Sequence, residues 1–338
     1  AEVDAARARV AAASGEQVWQ LLPPEWRPLY RAPSRLRYCT ARYGFLDAVR
    51  EMLECPDGVP LGQLHEVRRP PEFEPCPPLR KGMLLAGVPL APEKKVHRSR
   101  NSNKKAWTSS PAYRRFLDLY RRLLEEVVLP GLLSDGGFGD AATQEFVEAV
   151  VQSVPVLRVV MPSPHYATVK HRDAEYGHLP EELNFWVPLT PVSGTNSLFV
   201  ESFPGREDFQ PLEGDLGHVF QFWGNQCAHY AEPNCTGITR VSFDFRVIPR
   251  SFWAAAEAAG GLEAAAARRT FFHDGALALG GYYRLARASG SGGGGPGPLL
   301  RRTCPAAPAE EAAQAAAQAV SQAPAEAPAE ATAEAPAE

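Results

Sequence analysis

The sequence lacks several features that define common protein classes. No apolar run approaches the roughly 20 residues that a membrane-spanning helix needs, and no secretory hydrophobic segment is present. The opening Ala-rich segment carries Glu2 and Asp4, which is unlike an acid-poor transit peptide. The formal net charge of −4 predicts neither nucleic-acid binding nor binding to an anionic membrane. We therefore expect a cytoplasmic protein with neither nucleic acid nor a membrane as its partner.

Closely paired cysteines are also missing. The six cysteines are scattered and no Cys-x-x-Cys pair occurs, so a zinc site is not expected. Their scatter predicts free thiols in a reducing compartment. Hydrophobic residues make up 45% of the 338-residue chain, which is enough to build a core.

The hydrophobic period changes near residue 154. Residues 1–153 predict an N-terminal helical and irregular region that flanks a barrel. Residues 154–249 contain short strand-like runs between turn residues, which predicts a mainly β catalytic core, a cupin-like double-sheet jelly roll with helices on its outer face. Residues 250–288 predict C-terminal helices of the same domain. Residues 289–338, rich in Gly, Pro, Ala and Glu, predict a disordered tail.

Helices are predicted on both sides of this core, including a short amphipathic one at Ala41–Leu53. One begins at Ser110-Pro111, with Ser at the N-cap and Pro at the first helical position, and carries an apolar stripe. The others are predicted at Gln144–Val150, Ser251–Ala267 and Phe271–Arg287. The basic stretch Lys94–Lys105 predicts a solvated loop, or alternatively a mobile flap that steers an anionic substrate.

Three possible metal ligands fall in the β region. His171 ends a strand-like run, where it shares a face with Val169, and Asp173 follows it closely. His229 lies on a later apolar run that a folded sheet can bring opposite. Two imidazoles and one carboxylate on one side of a metal suit a non-haem Fe(II) oxygenase. The alternative is that His171 and Asp173 form a surface pair.

An arginine follows these ligands in an alternating run. Arg240, Ser242 and Asp244 take one face of the predicted strand. Val241, Phe243 and Phe245 take the other face. The planar guanidinium matches a carboxylate, and the Ser242 hydroxyl on the same side could help to hold the distal carboxylate of a 2-oxo acid. The alternative is that Arg240 pairs with Asp244 or with a surface acid.

These residues together resemble a known superfamily. His171-x-Asp173, the distal His229 and Arg240-x-Ser242 resemble the Fe(II)/2-oxoglutarate-dependent dioxygenases, in their phytanoyl-CoA dioxygenase-like branch. The runs Asn-Phe-Trp-Val-Pro-Leu-Thr at 184–190 and Gly-Thr-Asn-Ser-Leu-Phe-Val-Glu-Ser at 194–202 are similar to StrG-type proteins of streptomycin biosynthesis. The specific part of the resemblance covers about residues 165–247.

The resemblance implies a double-stranded β-helix enzyme that uses Fe(II), 2-oxoglutarate and O2. It implies that the two histidines and Asp173 bind Fe(II), and that Arg240 with Ser242 binds 2-oxoglutarate. Asn184 and Tyr166 are further candidates beside the co-substrate. The implied reaction is hydroxylation of a small polar metabolite with release of succinate and CO2. Two alternatives stay open: a cupin-like metalloenzyme without 2-oxoglutarate, and a non-catalytic jelly-roll binding protein.

Overall fold

A computed structural model describes residues 19–20, 27–31, 33–70, 72–90, 106–134, 148–258 and 277–289. Within these ranges the chain forms two antiparallel β-sheets with flanking helices. The predicted mainly β class with helices is confirmed at this level. The double-stranded β-helix arrangement of the sheets stays a prediction. The basic stretch Lys94–Lys105 and almost all of the predicted disordered tail lie outside the described residues.

The described helices and strands follow one another along the chain. The helices are α1 Arg27–Tyr30, α2 Phe45–Met52, α3 Pro77–Leu85, α4 Pro111–Leu123, α5 Leu129–Ser134 and α6 Arg250–Ala258. The strands are β1 Ser34–Arg37, β2 Glu148–Gln152, β3 Val156–Val160, β4 Tyr166–His171, β5 Leu183–Pro188, β6 Phe199–Val200, β7 Gln210–Pro211, β8 His218–Phe222, β9 His229–Pro233, β10 Arg240–Pro249 and β11 Tyr283–Arg287. Short 3₁₀ helices span Leu61–Glu66, Asp173–Tyr176 and Gly194–Asn196, and a π-helical segment spans Leu124–Val128.

Strand β10 organises the larger sheet. In the described part of the chain this sheet has seven strands in the order β1-β8-β5-β10-β2-β11, and β3 also pairs with β10. The first half of β10 pairs with β3 and its last three residues pair with β2. On its other side, β10 pairs with β5 over six residues. The smaller sheet has the order β4-β9-β6-β7.

Helix α4 covers one face of the larger sheet. Ser110 caps it as predicted, because its Oγ accepts a hydrogen bond from the backbone N–H of Tyr113 at 3.1 Å. The ring centroid of Phe116 lies 5.4 Å from that of Phe243. Tyr120 makes a similar edge contact with Phe245 at 5.1 Å. This packing buries the apolar face of β10, so the alternate side chains of that strand point away from the helix.

Three predicted segments need correction. The N-terminal region is not only helical and irregular, since β1 and β2 both join the larger sheet. Residues 148–150, expected at the end of a helix, begin β2, where Ala149–Val151 is buried on both sides and shows no alternation. Residues 283–287, also expected to be helical, form the strand β11. Of the helix expected at Ser251–Ala267, the described part forms α6.

The cysteine expectation is confirmed for four residues and wrong for one. Cys55, Cys76, Cys227 and Cys235 are free thiols, whereas Cys39 is disulfide-bonded. Among the described residues, no helix is long and apolar enough to cross a membrane.

Candidate active site

The two candidate histidines lie opposite each other on neighbouring strands. His171, the last residue of β4, pairs with His229, the first residue of β9. The register shifts between Thr168 and His171, which marks a β-bulge or irregularity. This shift breaks the simple alternation, so Val169 is 65% exposed and does not share the inward face expected for it. The irregularity therefore turns the imidazole of His171 toward the interior at the strand end.

His171, Asp173 and His229 converge on one point. Each offers a ligand atom, and these atoms lie within 4.8 Å of one another. Asp173 Oδ1 lies 3.6 Å from Nε2 of His171 and 3.7 Å from Nε2 of His229. The side chains of Asp173 and His229 are buried, and that of His171 is 13% exposed. The cluster could hold a metal ion, and the alternative of a surface pair between His171 and Asp173 is wrong.

Backbone carbonyls orient both imidazoles. Nδ1 of His171 lies 2.8 Å from the carbonyl oxygen of Val169, and Nδ1 of His229 lies 3.1 Å from that of Cys227. A carbonyl can only accept, so Nδ1 carries the proton in each ring. In the neutral imidazole, Nε2 then keeps a free lone pair directed at Asp173. This is the tautomer that a metal ligand needs.

The charge state of the cluster also suits a cation. Burial alone would raise the pKa of Asp173, but the Arg246 guanidinium holds it well below its usual value. Burial lowers the pKa of His229 to about 4, although Asp173 opposes this shift. At neutral pH the site therefore offers a carboxylate and a neutral imidazole, both competent to bind a metal.

Asn184 and Arg246 hold the carboxylate from the other sheet. They face each other across the β5–β10 pair. Nδ2 of Asn184 donates to Asp173 Oδ2 at 2.7 Å, and Nη2 of Arg246 donates to the same oxygen at 2.8 Å. A Cβ at Gly224 would come within 2.7 Å of the Asn184 amide, so only glycine allows this close approach. Asn184 therefore lies beside the candidate ligand Asp173, and its role beside a co-substrate stays a prediction.

The polar face of β10 extends from this point along the strand. It consists of alternate residues, namely Arg240, Ser242, Asp244 and Arg246. Arg158 lies beside Ser242 in the register and pairs with Asp244. Arg246 Nη1 also donates to Asp244, at 3.1 Å. Asp244 is therefore held by Arg158 and Arg246, and the expectation that it might pair with Arg240 is wrong.

Arg240 is a buried guanidinium without an acidic partner among the described residues. Its residue is 1% exposed, and its Nη1 donates to the carbonyl oxygens of Asn196 and Ser197 at 3.0 and 2.9 Å. Its Cζ lies 5.6 Å from the ring centroid of Trp186, a cation–π distance. Burial, with repulsion from Arg158, lowers its pKa to about 9, so the side chain is still charged at neutral pH.

Three buried polar atoms around this arginine have no hydrogen-bond partner in the described part of the chain. They are Arg240 Nε, Ser242 Oγ and Ser197 Oγ. Buried polar groups are nearly always satisfied in folded proteins, and an unsatisfied one costs about 1–3 kcal/mol. All three can donate a hydrogen bond to an anion, and Ser197 lies on the segment that Arg240 already contacts. The arrangement can therefore bind a carboxylate supplied by a ligand.

Tyr166 lies away from this arrangement. It begins β4, opposite Pro233, and is 57% exposed. Five residues of extended chain separate it from His171, which is roughly 16 Å along the strand. Asn225, by contrast, braces the loop that follows Asp173, because its Nδ2 donates to the carbonyl oxygen of His178 at 3.0 Å. The structure thus separates Tyr166 from the cluster and places Asn225 near it.

Arg246 and Ser197 were missed in the sequence. Arg246 continues the alternation of Arg240, Ser242 and Asp244 by one more step, so a longer reading of the same run would have found it. Ser197 has no such signal, because it approaches Arg240 through the fold after a short helix.

Comparison with known proteins gives one relative by sequence. The chain is 34% identical over 151 residues to streptomycin biosynthesis protein StrG from Streptomyces griseus, a match that covers 42% of this chain and 65% of StrG. The chain thus spans less than two thirds of the length of this relative. The predicted similarity to StrG-type proteins is confirmed. No known family model matches the chain.

Several solved structures are also similar. EvdO2 from Micromonospora carbonacea var. aurantiaca, solved with 2-oxoglutarate, is 16% identical, and the match covers 67% of this chain and 88% of EvdO2 with a TM-score of 0.34. A non-heme monooxygenase, ThoJ in complex with Ni, is 18% identical over 65% of this chain and 73% of ThoJ, with a TM-score of 0.30. The alpha-ketoglutarate-dependent carbocyclase SnoK is 17% identical over 41% of this chain and 62% of SnoK, with a TM-score of 0.29.

Proposed function

We propose that the chain is an Fe(II)- and 2-oxoglutarate-dependent dioxygenase that hydroxylates a small polar metabolite and releases succinate and CO2. The observation that carries this proposal is Arg240, a buried guanidinium whose counter-ion the described residues do not supply. A buried charge without a partner is costly. A dicarboxylate co-substrate would remove that cost by giving Arg240 an anionic partner.

The metal is assigned to His171, Asp173 and His229. Two imidazoles with their Nε2 atoms turned to one carboxylate oxygen form a ligand set that leaves positions open on the far side, as in non-haem Fe(II) oxygenases. The backbone hydrogen bonds of the two rings keep these Nε2 atoms in place. When bound, Fe(II) supplies the activation of O2 that couples 2-oxoglutarate oxidation to substrate oxidation.

The chain's own residues bind and orient the co-substrate. Arg240 would hold its far carboxylate through the free Nε, with Ser242 Oγ as a second donor on the same face. Trp186 is buried, and its ring centroid lies 5.6 Å from Cζ of Arg240, so it would help to exclude water from this face. Such exclusion of water strengthens every charged contact in the site. Tyr166 has no proposed role because it lies at the far end of β4.

We further propose that the two sheets form a double-stranded β-helix. The smaller sheet contributes His171 on β4 and His229 on β9. The larger sheet contributes Asn184 on β5 and the arginines on β10. Asp173 makes contacts with both sets, which supports two facing sheets with the site between their inner faces.

The substrate class is proposed from the relative. StrG is named a streptomycin biosynthesis protein, which supports a small metabolite as the substrate class. The absence of a strong net charge agrees with a small-molecule substrate rather than a nucleic acid.

The proposal is tested with purified protein, Fe(II) and 2-oxoglutarate. An anaerobic titration should produce the visible charge-transfer band of an Fe(II)–2-oxo acid chelate, and its loss in a His171→Ala variant is the control. In air, the conversion of 2-oxoglutarate to succinate should follow, even without a substrate, at a slow rate. A wild-type protein that binds Fe(II) but never shows the band or forms succinate would contradict the proposal. It would favour a cupin-like metalloenzyme that uses no 2-oxo acid.

A further inference from the structure

The two oxygens of the Asp173 carboxylate have different surroundings. Oδ1 faces Nε2 of both histidines, at 3.6 and 3.7 Å. Oδ2 faces the larger sheet, where it accepts from Arg246 Nη2 at 2.8 Å and Nε at 3.2 Å, and from Asn184 Nδ2 at 2.7 Å. One oxygen therefore lies toward the metal position, and the other is surrounded by N–H donors.

The arginine contact is unusual in its geometry. Arginine usually meets a carboxylate as a fork, with one N–H on each oxygen. Here both N–H groups of Arg246 that reach Asp173 are placed on Oδ2 alone. With the Asn184 amide, three donors share an oxygen that has two lone pairs. The ion pair thus leaves Oδ1 untouched, so it is compatible with a metal bound at that oxygen.

Arg246 is itself held in place. Its side chain is 8% exposed, and its third nitrogen, Nη1, donates to Asp244 Oδ2 at 3.1 Å and to Gln152 Oε1 at 3.3 Å. Every nitrogen of the guanidinium is therefore engaged. Because Arg246 and Asn184 are direct partners in the β5–β10 register, the backbone ladder fixes both donors relative to each other.

We propose that Arg246, assisted by Asn184, is a positioning residue that restricts Asp173 to a single ligating oxygen, Oδ1. This inference rests on the proposed metal site. If Oδ2 were free, the carboxylate could rotate and bind the metal through both oxygens, which would take up one more coordination position. A chelating 2-oxo acid and O2 need the positions that a three-ligand site leaves open. By occupying Oδ2, Arg246 keeps those positions available.

The rival explanation is that Arg246 only neutralises buried carboxylates. Asp244 and Glu182 lie close to the same guanidinium, so a purely structural role would also explain its burial. The two explanations differ in what happens to the metal. A positioning role predicts a change in coordination at the metal, whereas neutralisation predicts a change in stability alone.

Co(II) binding to the purified full-length chain separates them, without 2-oxoglutarate. Co(II) is a suitable probe because its visible absorption reports coordination number, and its titration gives a Kd. Arg246→Gln should weaken Co(II) binding by about 10–100-fold, the usual effect of losing a group that orients a metal ligand. Its visible spectrum should also change. Arg246→Lys should recover part of the affinity, since an ammonium can donate to Oδ2 but lacks the planar fork.

Arg158→Gln is the matched control. It removes another arginine from the same buried network, one that pairs with Asp244 and makes no hydrogen bond to Asp173. Its Kd for Co(II) should stay within about threefold of the wild-type value. Its visible Co(II) spectrum should keep the wild-type shape. If Arg246→Gln is folded by circular dichroism and binds Co(II) with the wild-type Kd and spectrum, the proposal is wrong. Equal losses in the Arg246 and Arg158 variants would also overturn it, because they would show a general charge effect.

Two further outcomes are decisive. Should Arg246→Gln fail to fold, Arg246→Lys decides, since a wild-type spectrum with wild-type affinity in that variant would show that the fork geometry does not matter.

Failure of the dioxygenase assignment has a different signature. A wild type that binds Co(II) but not 2-oxoglutarate would reject the co-substrate, and the Co(II) series would still decide the role of Arg246. A wild type that binds no Co(II) would reject the inference together with the metal site.

Discussion

Replacing Arg240 by alanine should selectively weaken the binding of 2-oxoglutarate. Nη1 of Arg240 is already used by two backbone carbonyls, whereas Nε has no partner among the described residues and is free for a ligand. A hydrogen bond to a charged group contributes about 1.5–3 kcal/mol. At about 1.4 kcal/mol per decade, losing it should raise the Kd for 2-oxoglutarate by roughly 10- to 150-fold. Arg240→Lys should recover only part of this, because it keeps the charge without the fork.

Calorimetry with Mn(II) in place of Fe(II) measures this Kd without turnover. A second ligand, 2-oxopentanoate, has the same carbon chain but a methyl group in place of the far carboxylate. The ratio of the two Kd values therefore measures what the far carboxylate contributes to binding. The wild type should prefer 2-oxoglutarate, and Arg240→Ala should lose most of the preference. The Kd for Mn(II) alone should change little, because Arg240 contacts no member of the metal cluster. Equal 2-oxoglutarate affinities in wild type, Arg240→Ala and Arg240→Lys would refute the assignment of this arginine.

Three other outcomes are expected. His171→Ala or His229→Ala should abolish Co(II) binding seen by absorption while circular dichroism stays native, and a double variant that still consumed 2-oxoglutarate at the wild-type rate would contradict the site. Under the proposed assignment Asp173 would fill the metal position that chloride would need, so wild-type turnover in excess chloride should yield no chlorinated product by mass spectrometry. Ser110→Ala removes the acceptor for the Tyr113 N–H and should lower the free energy of unfolding by about 0.5–2 kcal/mol in urea titration, and an unchanged midpoint would show that the cap is dispensable.

Local patterns predicted the parts of the site that lie on one strand. The alternation of β10 placed Arg240 and Ser242 on one face and Phe243 and Phe245 on the other, as the helix contacts of these rings confirm. The spacing of His171 and Asp173 predicted their proximity, which the structure shows. These features depend on the two-residue period of a strand, which is visible in the amino-acid sequence.

The remaining features depend on partners distant in the chain. Arg246 and Asp173 are 73 residues apart, so no local pattern links them. The irregularity before His171 overrode the alternation and left Val169 exposed. Strand β1 was missed because its sequence Ser-Arg-Leu-Arg has one apolar residue, which suffices for an edge strand with one buried position.

The two arginines of β10 lie at a fixed spacing along one strand. Arg246 marks the metal end and Arg240 the far end, and six residues of strand separate them by roughly 20 Å between backbone positions. Under the proposed assignment, the main chain of β10 therefore sets the spacing between the metal site and the arginine that binds the co-substrate. Point substitutions can then alter the substrate pocket without changing the backbone spacing between the two arginines. Inserting one residue in β10 would turn every side chain beyond the insertion to the opposite face, so this spacing cannot change by one residue without reversing part of the strand.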